Sequence, residues 1–320
     1  MSENLLACGK CILFGEHAVV YGKPGIGIPL KACKITGDFK ESDEFRIFSN
    51  SIDVLRESKT KKVVNELLNA INEKFCRNYS IDDLKIEINL KSNIPLSSGF
   101  GSSAAFCVSL TRLFLQYFGI NAKDSDVAEI ANAGEKIYHG NPSGIDAAIS
   151  SFRRPIIFKK GEKIEKIKIG GKNDEVSFFV IYTHRPNRST KDLVESVAKI
   201  EESKRNKIMD EIEKITMDAA ESIAIGNFQN LIKLIKENSE CLEKLGIYSE
   251  ENERIASEIN SLYFAGCKVT GAGDGGGMIL ACFKNKVTDI IELLQNLGYS
   301  FLEKPKDRIN EFVFWREDIF

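Results

Sequence analysis

The 320-residue chain has no uninterrupted apolar run approaching the roughly 18 residues of a membrane-spanning helix. Its opening residues, MSENLLACGK, lack the apolar stretch and small-residue exit of a secretory leader, so none is expected. Charge of one sign is also missing. With 44 Lys+Arg against 46 Asp+Glu the formal net charge is −2, so no global field favours nucleic acid or a membrane surface, and a small molecule is the expected partner. Internal repeats, low-complexity tracts and long linkers are absent, as is the Lys that closes a Walker A loop. No pair of histidines, and no second pair of cysteines, stands at zinc-ligand spacing beside the Cys8–Cys11 C-x-x-C pair.

What is present is ordinary globular material, 43% hydrophobic and 28% charged, enough for one large domain or two moderate ones. Eight cysteines (Cys8, Cys11, Cys33, Cys76, Cys107, Cys241, Cys267 and Cys282) are scattered, mostly inside apolar runs, and read as reduced core residues of a cytoplasmic protein. Leu5 to Phe14 and Gly25 to Phe39 predict an extended N-terminal sheet. Apolar residues at helical spacing predict a helix over Lys61 to Phe75, and the alternation of LKIEINL predicts a half-buried strand from Leu84 to Leu90. Helices are expected from the glycine-rich segment to about Leu115 and over Ser125 to Tyr138. Further on, VSFFVIY (Val176 to Tyr182) reads as a buried strand, and Asp192 to Leu245 as a helical hairpin broken near Gly226 and Asn227. Strands near Cys267 to Thr270, Met278 to Phe283 and Phe312 to Trp315, with a helix over Val287 to Leu297, complete an α+β chain. A boundary near residue 170, in IKIGGKND, divides it into 1–170 and 171–320.

Four motifs carry the chemistry. In Pro95-Leu-Ser97-Ser98-Gly99-Phe-Gly101-Ser102-Ser103-Ala104-Ala105, the glycines free the backbone to approach an anion, and the helix after them offers unpaired N–H groups and its positive dipole end. This predicts a phosphate cradle. Gly99, Gly101 and Ala104 also fit the relaxed dinucleotide spacing, but no first βαβ unit surrounds them. The second motif, Gly9-Lys10-Cys-Ile-Leu-Phe-Gly-Glu16-His17, brackets a strand with polar groups, and Lys10 is a point charge suited to a phosphate oxygen or a nearby hydroxyl; a solvated Lys and a satisfied His are the plain alternative. The third, Glu135-Lys-Ile-Tyr-His139-Gly-Asn-Pro-Ser143-Gly-Ile-Asp146, puts two carboxylates on opposite sides of a helix break, where they either share a site or serve only as helix-end charges. Gly271 to Gly277 (GAGDGGG) runs into a strand instead of a helix, and as a tight turn between strands it needs no function. His184 reads as a strand-end surface residue.

In this order, GK-x-x-LFGEHAVVYG, IPLSSGFGSSAA, HGNPSGID and KVTGAGDGGG resemble the motif set of the GHMP kinases, over nearly the whole chain from Gly9 to Gly277. GEHAVVYG departs from the GEHTDY usual in galactokinases, and the set looks most like the branch that acts on mevalonate. That resemblance implies a two-domain GHMP kinase fold, an N-terminal domain like domain two of ribosomal protein S5 and a ferredoxin-like C-terminal domain, with ATP between them. It also implies roles for individual residues. Pro95, Ser97, Ser98, Gly99, Gly101, Ser102, Ser103 and Ala104 would hold the ATP phosphates. Ser103 and Glu135 would bind Mg²⁺, Asp146 would act as base, and Lys10 would keep Asp146 ionised. Glu16, His17, Ser143 and Thr190 would contact the substrate, with Arg188 and Ser189 close by, and GAGDGGG would pack under the phosphate loop. Mevalonate is the implied small-molecule substrate and a homodimer the implied assembly. A sibling kinase such as one acting on phosphomevalonate, and a silent ligand-binding scaffold, are the alternatives. Asp274 departs from the Gly common at that place, and a carboxylate there would repel a triphosphate unless it points to solvent.

Overall fold

A computed structural model describes residues 4–96, 98–140, 142–306 and 312–320; Ser97 of the expected phosphate loop lies outside the described residues. Chain order is β1 (Leu5–Phe14), β2 (Gly25–Glu41), β3 (Arg46–Ser49), β4 (Ile52–Asp53), α1 (Ser58–Phe75), β5 (Ile86–Ser92), α2 (Ser102–Tyr117), α3 (Asp124–His139), α4 (Ile145–Phe152), β6 (Ile156–Phe158) and β7 (Glu165–Lys166). After these come β8 (Val176–Tyr182), α5 (Thr190–Ala198), α6 (Glu202–Ile225), α7 (Gln229–Lys244), α8 (Glu250–Asn260), β9 (Ala265–Val269), β10 (Gly277–Phe283), α9 (Val287–Asn296), β11 (Ser300–Phe301) and β12 (Val313–Glu317). Two sheets result. The first runs β4-β3-β5-β2-β6-β7, with β1 paired to β2, and the second runs β11-β12-β8-β10-β9.

The long strand β2 organises the first sheet. Its first half pairs antiparallel with β1, its second half with β5, and its opening residues with β6. The alternation read in LKIEINL is kept in β5, where Ile86, Ile88 and Leu90 turn inward. On α1, Val63, Val64, Leu67, Leu68 and Ile71 form one buried stripe, each worth about 1.5–3 kcal/mol on burial. Helices α2, α3 and α4 pack against one another, and α2 and α4 also lie on β1 and β2, which brings the start of α2, the end of α3 and the start of α4 near Lys10 of β1.

In the second sheet β8 is central, paired antiparallel with both β10 and β12, and all seven of its residues are buried. Burial on both faces explains its continuous apolar run. Helices α7 and α8 lie against β9, while Trp315 of β12 meets the Phe100 ring of the glycine loop edge to face at 5.4 Å. One core cluster therefore runs through both halves, from Leu13 and Phe114 to Phe179 and Trp315. The expected boundary segment is held close against the second half. Gly170 donates its N–H to Ile223 O at 2.9 Å, and a Cβ on Gly226 would come within 1.9 Å of Gly170 O, so two bare backbones touch there. Several short or polar elements go beyond the sequence reading, β3, β6 and α8 among them. Strands β3 and β6 have four and three residues, too few for periodicity, and α8 (EENERIASEIN) is so polar that only the Ser249 side chain, accepting from Asn252 N, marks its start.

Candidate active site

The glycine loop enters α2 through Gly99 (φ 81°) and Gly101 (φ 75°), both left-handed. Helix α2 has no side chain bonded at its N-terminus, so the first-turn N–H groups of Ser102, Ser103 and Ala104 and the helix dipole are left for an anion. Ser98 is buried and its hydroxyl donates to Pro95 O at 2.7 Å, stiffening the loop from inside. Gly101 is required by sterics as well as by φ. A Cβ there would stand 2.5 Å from Cγ of Lys10.

That close approach fixes Lys10. Its N–H donates to Phe100 O at 2.8 Å, its stem runs under Gly101, and its Nζ reaches Asp146 Oδ1 at 3.0 Å. Lys10 is buried, whereas the Asp146 side chain keeps 30% exposure, so the ion pair opens toward the cleft on the carboxylate side. Asp146 sits in the first turn of α4, which starts after left-handed Gly144, and Ser143 Oγ accepts from Ile145 N at 3.4 Å in the same turn.

Behind the pair lies Glu135 on α3, almost wholly buried. Burial, and then the charge of Asp146, push its carboxyl up to about 7, against the pull of the Ser103 hydroxyl and Lys10. The two carboxylates eleven residues apart in sequence thus share one site. His139, one helical turn after Glu135, was not singled out from the sequence. Its Nε2 lies 3.2 Å from Ser103 Oγ and 3.7 Å from Glu135 Oε2, and burial lowers its pKa. The i, i+4 spacing from Glu135 on one helix face is the signal that would have found it.

The second glycine turn, residues 271–277, closes the floor. Built Cβ positions put Gly271 at 3.8 Å from both Gly99 O and Lys10 Nζ, and Gly276 at 2.8 Å from Ser98 O. His17 Nε2 lies 3.0 Å from Ala272 O, and burial lowers the pKa of this ring. Thr270 Oγ1 accepts from Ile12 N at 2.9 Å, joining the two halves.

Two expectations change. Glu16, expected to contact substrate, has no exposed surface; its Oε1 bonds Lys268 of β9, also fully buried, so the pair ties the halves together behind the site. Burial raises the Glu16 carboxyl despite Lys268, and among the described residues Oε2 has no partner. Asp274, expected to repel a triphosphate unless it points to solvent, is turned inward and buried, with Oδ2 accepting from Arg188 N at 2.8 Å. Repulsion is avoided because Arg188 takes up the charge. Ser189 caps α5 through Asp192 N, and Thr190 begins that helix, exposed. Thr190 is connected to the glycine turn through its neighbour Arg188 alone among the described contacts.

Residues 60–154, which run from α1 through α4 and contain the glycine loop, Glu135 and Asp146, match the family described as GHMP kinases N terminal domain. Over 304 residues the chain is 32% identical to the mevalonate kinase of Methanocaldococcus jannaschii, covering 89% of this chain and 93% of that one. At this identity over almost the full length, the chain belongs to the mevalonate kinase family. The crystal structure of the Methanococcus jannaschii mevalonate kinase superposes with a TM-score of 0.78 at 26% identity, covering 100% of this chain and 99% of that one. A Lactococcus lactis galactokinase complexed with galactose gives 0.77 at 17% identity, covering 99% of this chain and 93% of that one. The fold is therefore shared at far lower identity, and by itself it assigns no substrate.

Proposed function

We propose that the chain transfers the γ-phosphoryl group of ATP to the 5-hydroxyl of mevalonate, giving 5-phosphomevalonate and ADP. The observation that carries this reading is the 3.0 Å Lys10–Asp146 pair placed beside the uncapped start of α2. Phosphoryl transfer requires positioning and charge neutralisation more than covalent help. The N–H groups at the start of α2, with Gly99 and Gly101 allowing close approach, hold the phosphates. Asp146 accepts the proton of the substrate hydroxyl as its oxygen bonds to Pγ, and the Pγ–O bond to the β-phosphate breaks to release ADP. Lys10 pairs with Asp146 and stabilises charge developing on the transferred group. Ser143, His17 and the Arg188–Thr190 segment line the acceptor side, with Glu16 acting from behind.

Mg²⁺ fits the residues present. The Ser103 hydroxyl and Glu135 carboxylate are hard oxygen donors, and a carboxyl raised to about 7 by burial is one that a nearby cation would return to its ionised form. Among the described residues no cluster of three or more His, Cys, Asp or Glu forms a full metal cage, in keeping with a cation that completes its shell with phosphate and water. When bound, Mg²⁺ neutralises phosphate charge. A cytoplasmic setting suits the eight free thiols, and among the described residues no helix is long and apolar enough to cross a membrane.

The test is ADP release with ATP, Mg²⁺ and mevalonate, 5-phosphomevalonate, galactose or homoserine, using wild type and Asp146→Ala. Turnover on mevalonate alone, falling by about 10²-fold or more in the variant, is expected. Turnover on another acceptor instead would move the activity to a sibling kinase, and none on any would leave a ligand-binding scaffold.

A further inference from the structure

The turn 271–277 touches four functional residues in succession: Lys10 at Gly271, His17 at Ala272, Arg188 at Asp274 and Ser98 at Gly276. At Asp274 the backbone is left-handed, with φ 59°, a conformation that Asp tolerates better than most side chains do. Its N–H donates to Ile247 O at 2.6 Å. Oδ2 accepts from Arg188 N at 2.8 Å, and Oδ1 accepts from Arg188 Nη2 at 3.2 Å. Arg188 Nη2 also reaches Gly246 O at 3.4 Å. One buried carboxylate thus grips both the backbone and the guanidinium of the residue immediately before the cap of α5. The Arg188 side chain keeps 39% exposure, and among the described contacts only Nη2 is engaged, so the rest of its planar donor fork is open.

We infer that Asp274 is a positioning residue: it fixes Arg188 so that the open edge of the guanidinium receives the carboxylate of the acceptor substrate. This rests on the proposed reading of the site as one for a hydroxy acid. Arg suits the task because its fork matches a carboxylate in two parallel hydrogen bonds. Gly271, beside Lys10, and Asp274 are three residues apart, so the turn separates them by at most about 11 Å. A short acid then has its hydroxyl at Asp146, which pairs with Lys10 at one end of this segment, and its carboxylate at Arg188, which pairs with Asp274 at the other. Holding the fork beforehand reduces the ordering cost of binding, so the effect belongs in substrate affinity and not in the chemical step.

Steady-state kinetics of the full chain with mevalonate and ATP test this on wild type, Asp274→Gly, Asp274→Asn, Arg188→Ala and Asp274→Gly/Arg188→Ala. Asp274→Gly is expected to raise KM for mevalonate about tenfold, with kcat within about threefold and KM for ATP unchanged. Asp274→Asn keeps an oxygen for the Arg188 N–H and tolerates left-handed backbone, so it should recover part of the loss, and it supplies the readout should the Gly variant fold poorly. In the double variant, loss of Asp274 should add nothing to the KM increase of Arg188→Ala. An unchanged or lowered mevalonate KM in Asp274→Gly, or full additivity with Arg188→Ala, would overturn the inference while mevalonate turnover by wild type leaves the functional reading standing. No turnover of mevalonate by wild type would overturn that reading, and this inference with it.

Discussion

Two glycine-rich turns in this molecule look alike in sequence and do different work. Residues 99–104 and 271–276 both fit a G-x-G-x-x-G/A spacing, and in both the glycines take left-handed backbone. The first runs into α2 and leaves helix N–H groups unpaired; the second joins β9 to β10, whose backbones pair with each other and with β8. Only the first has a surplus of donors for an anion. The second serves as a platform, passing close to Lys10, His17, Arg188 and Ser98. The element into which the glycines lead, a helix or a strand, decides which role they take; their spacing does not.

Substitutions that add the same methyl group to each turn should separate the roles most widely. Gly101→Ala, whose Cβ would meet Lys10 Cγ at 2.5 Å, should displace Lys10 from Asp146 and lower kcat by about 10²-fold. Gly273→Ala would bring a Cβ to 2.3 Å from Ile247 O, so it should cost about 1–3 kcal/mol of stability with kcat within about threefold. Kinetics and melting of the two variants side by side make the measurement; a kcat collapse in Gly273→Ala with an unchanged melting temperature would erase the distinction.

A second difference is electrostatic. The first turn stands beside Glu135, whose carboxyl is raised to about 7 from 4.5, so the folded chain binds that proton more tightly than the unfolded one. Stability is then highest below the unfolded value and declines as pH rises from about 4.5 through 7, by roughly 3 kcal/mol for this group once ionised. Glu317 in β12, likewise raised to about 7 by burial, acts in the same direction. Melting of the ligand-free protein at pH 5 and pH 8 should show the decline, and Glu135→Gln should flatten part of it. A slope identical to wild type would show that Glu135 is not the group responsible.

The smallest effect is expected at Gly99, where among the described residues an added Cβ finds only Thr270 O, at 3.7 Å. Gly99→Ala should therefore cost only the left-handed backbone penalty, about 1–2 kcal/mol, visible in the melting temperature. A loss larger than that of Gly273→Ala would mean that the phosphate loop is also a structural platform.

The contrast shows where the sequence was legible. Strand β8, the helical hairpin of α6 and α7, and the loop leading into α2 were readable because each is specified by neighbours within a few residues: an apolar run, a helical period, glycines before a helix start. Lys10, Ser103, Glu135 and Asp146 were named from motifs, and packing of α2 and α4 on β1, with α3 against both helices, brings them together. Harder to read were His139, whose role depends on how the α3 end meets the start of α2, and Glu16, whose partner Lys268 lies 252 residues away. The orientation of Asp274 was left open by the sequence, because the Arg188 charge that folding places beside it lies 86 positions away.

By itself, then, the sequence determined the local elements and the chemical inventory: an anion cradle, a lysine and two carboxylates, in an order resembling one kinase family. Tertiary structure alone decided which charges meet. Helical and strand periodicities, caps and glycine conformations are short-range and are written in adjacent residues. The partners of Lys10, Glu16 and Asp274 lie 136, 252 and 86 positions away respectively. The energy of a buried charge depends on the groups that surround it after folding; that is why the same carboxylate type is half of an open ion pair with Lys10 at Asp146, a buried tie to Lys268 at Glu16 and a partner of Arg188 at Asp274.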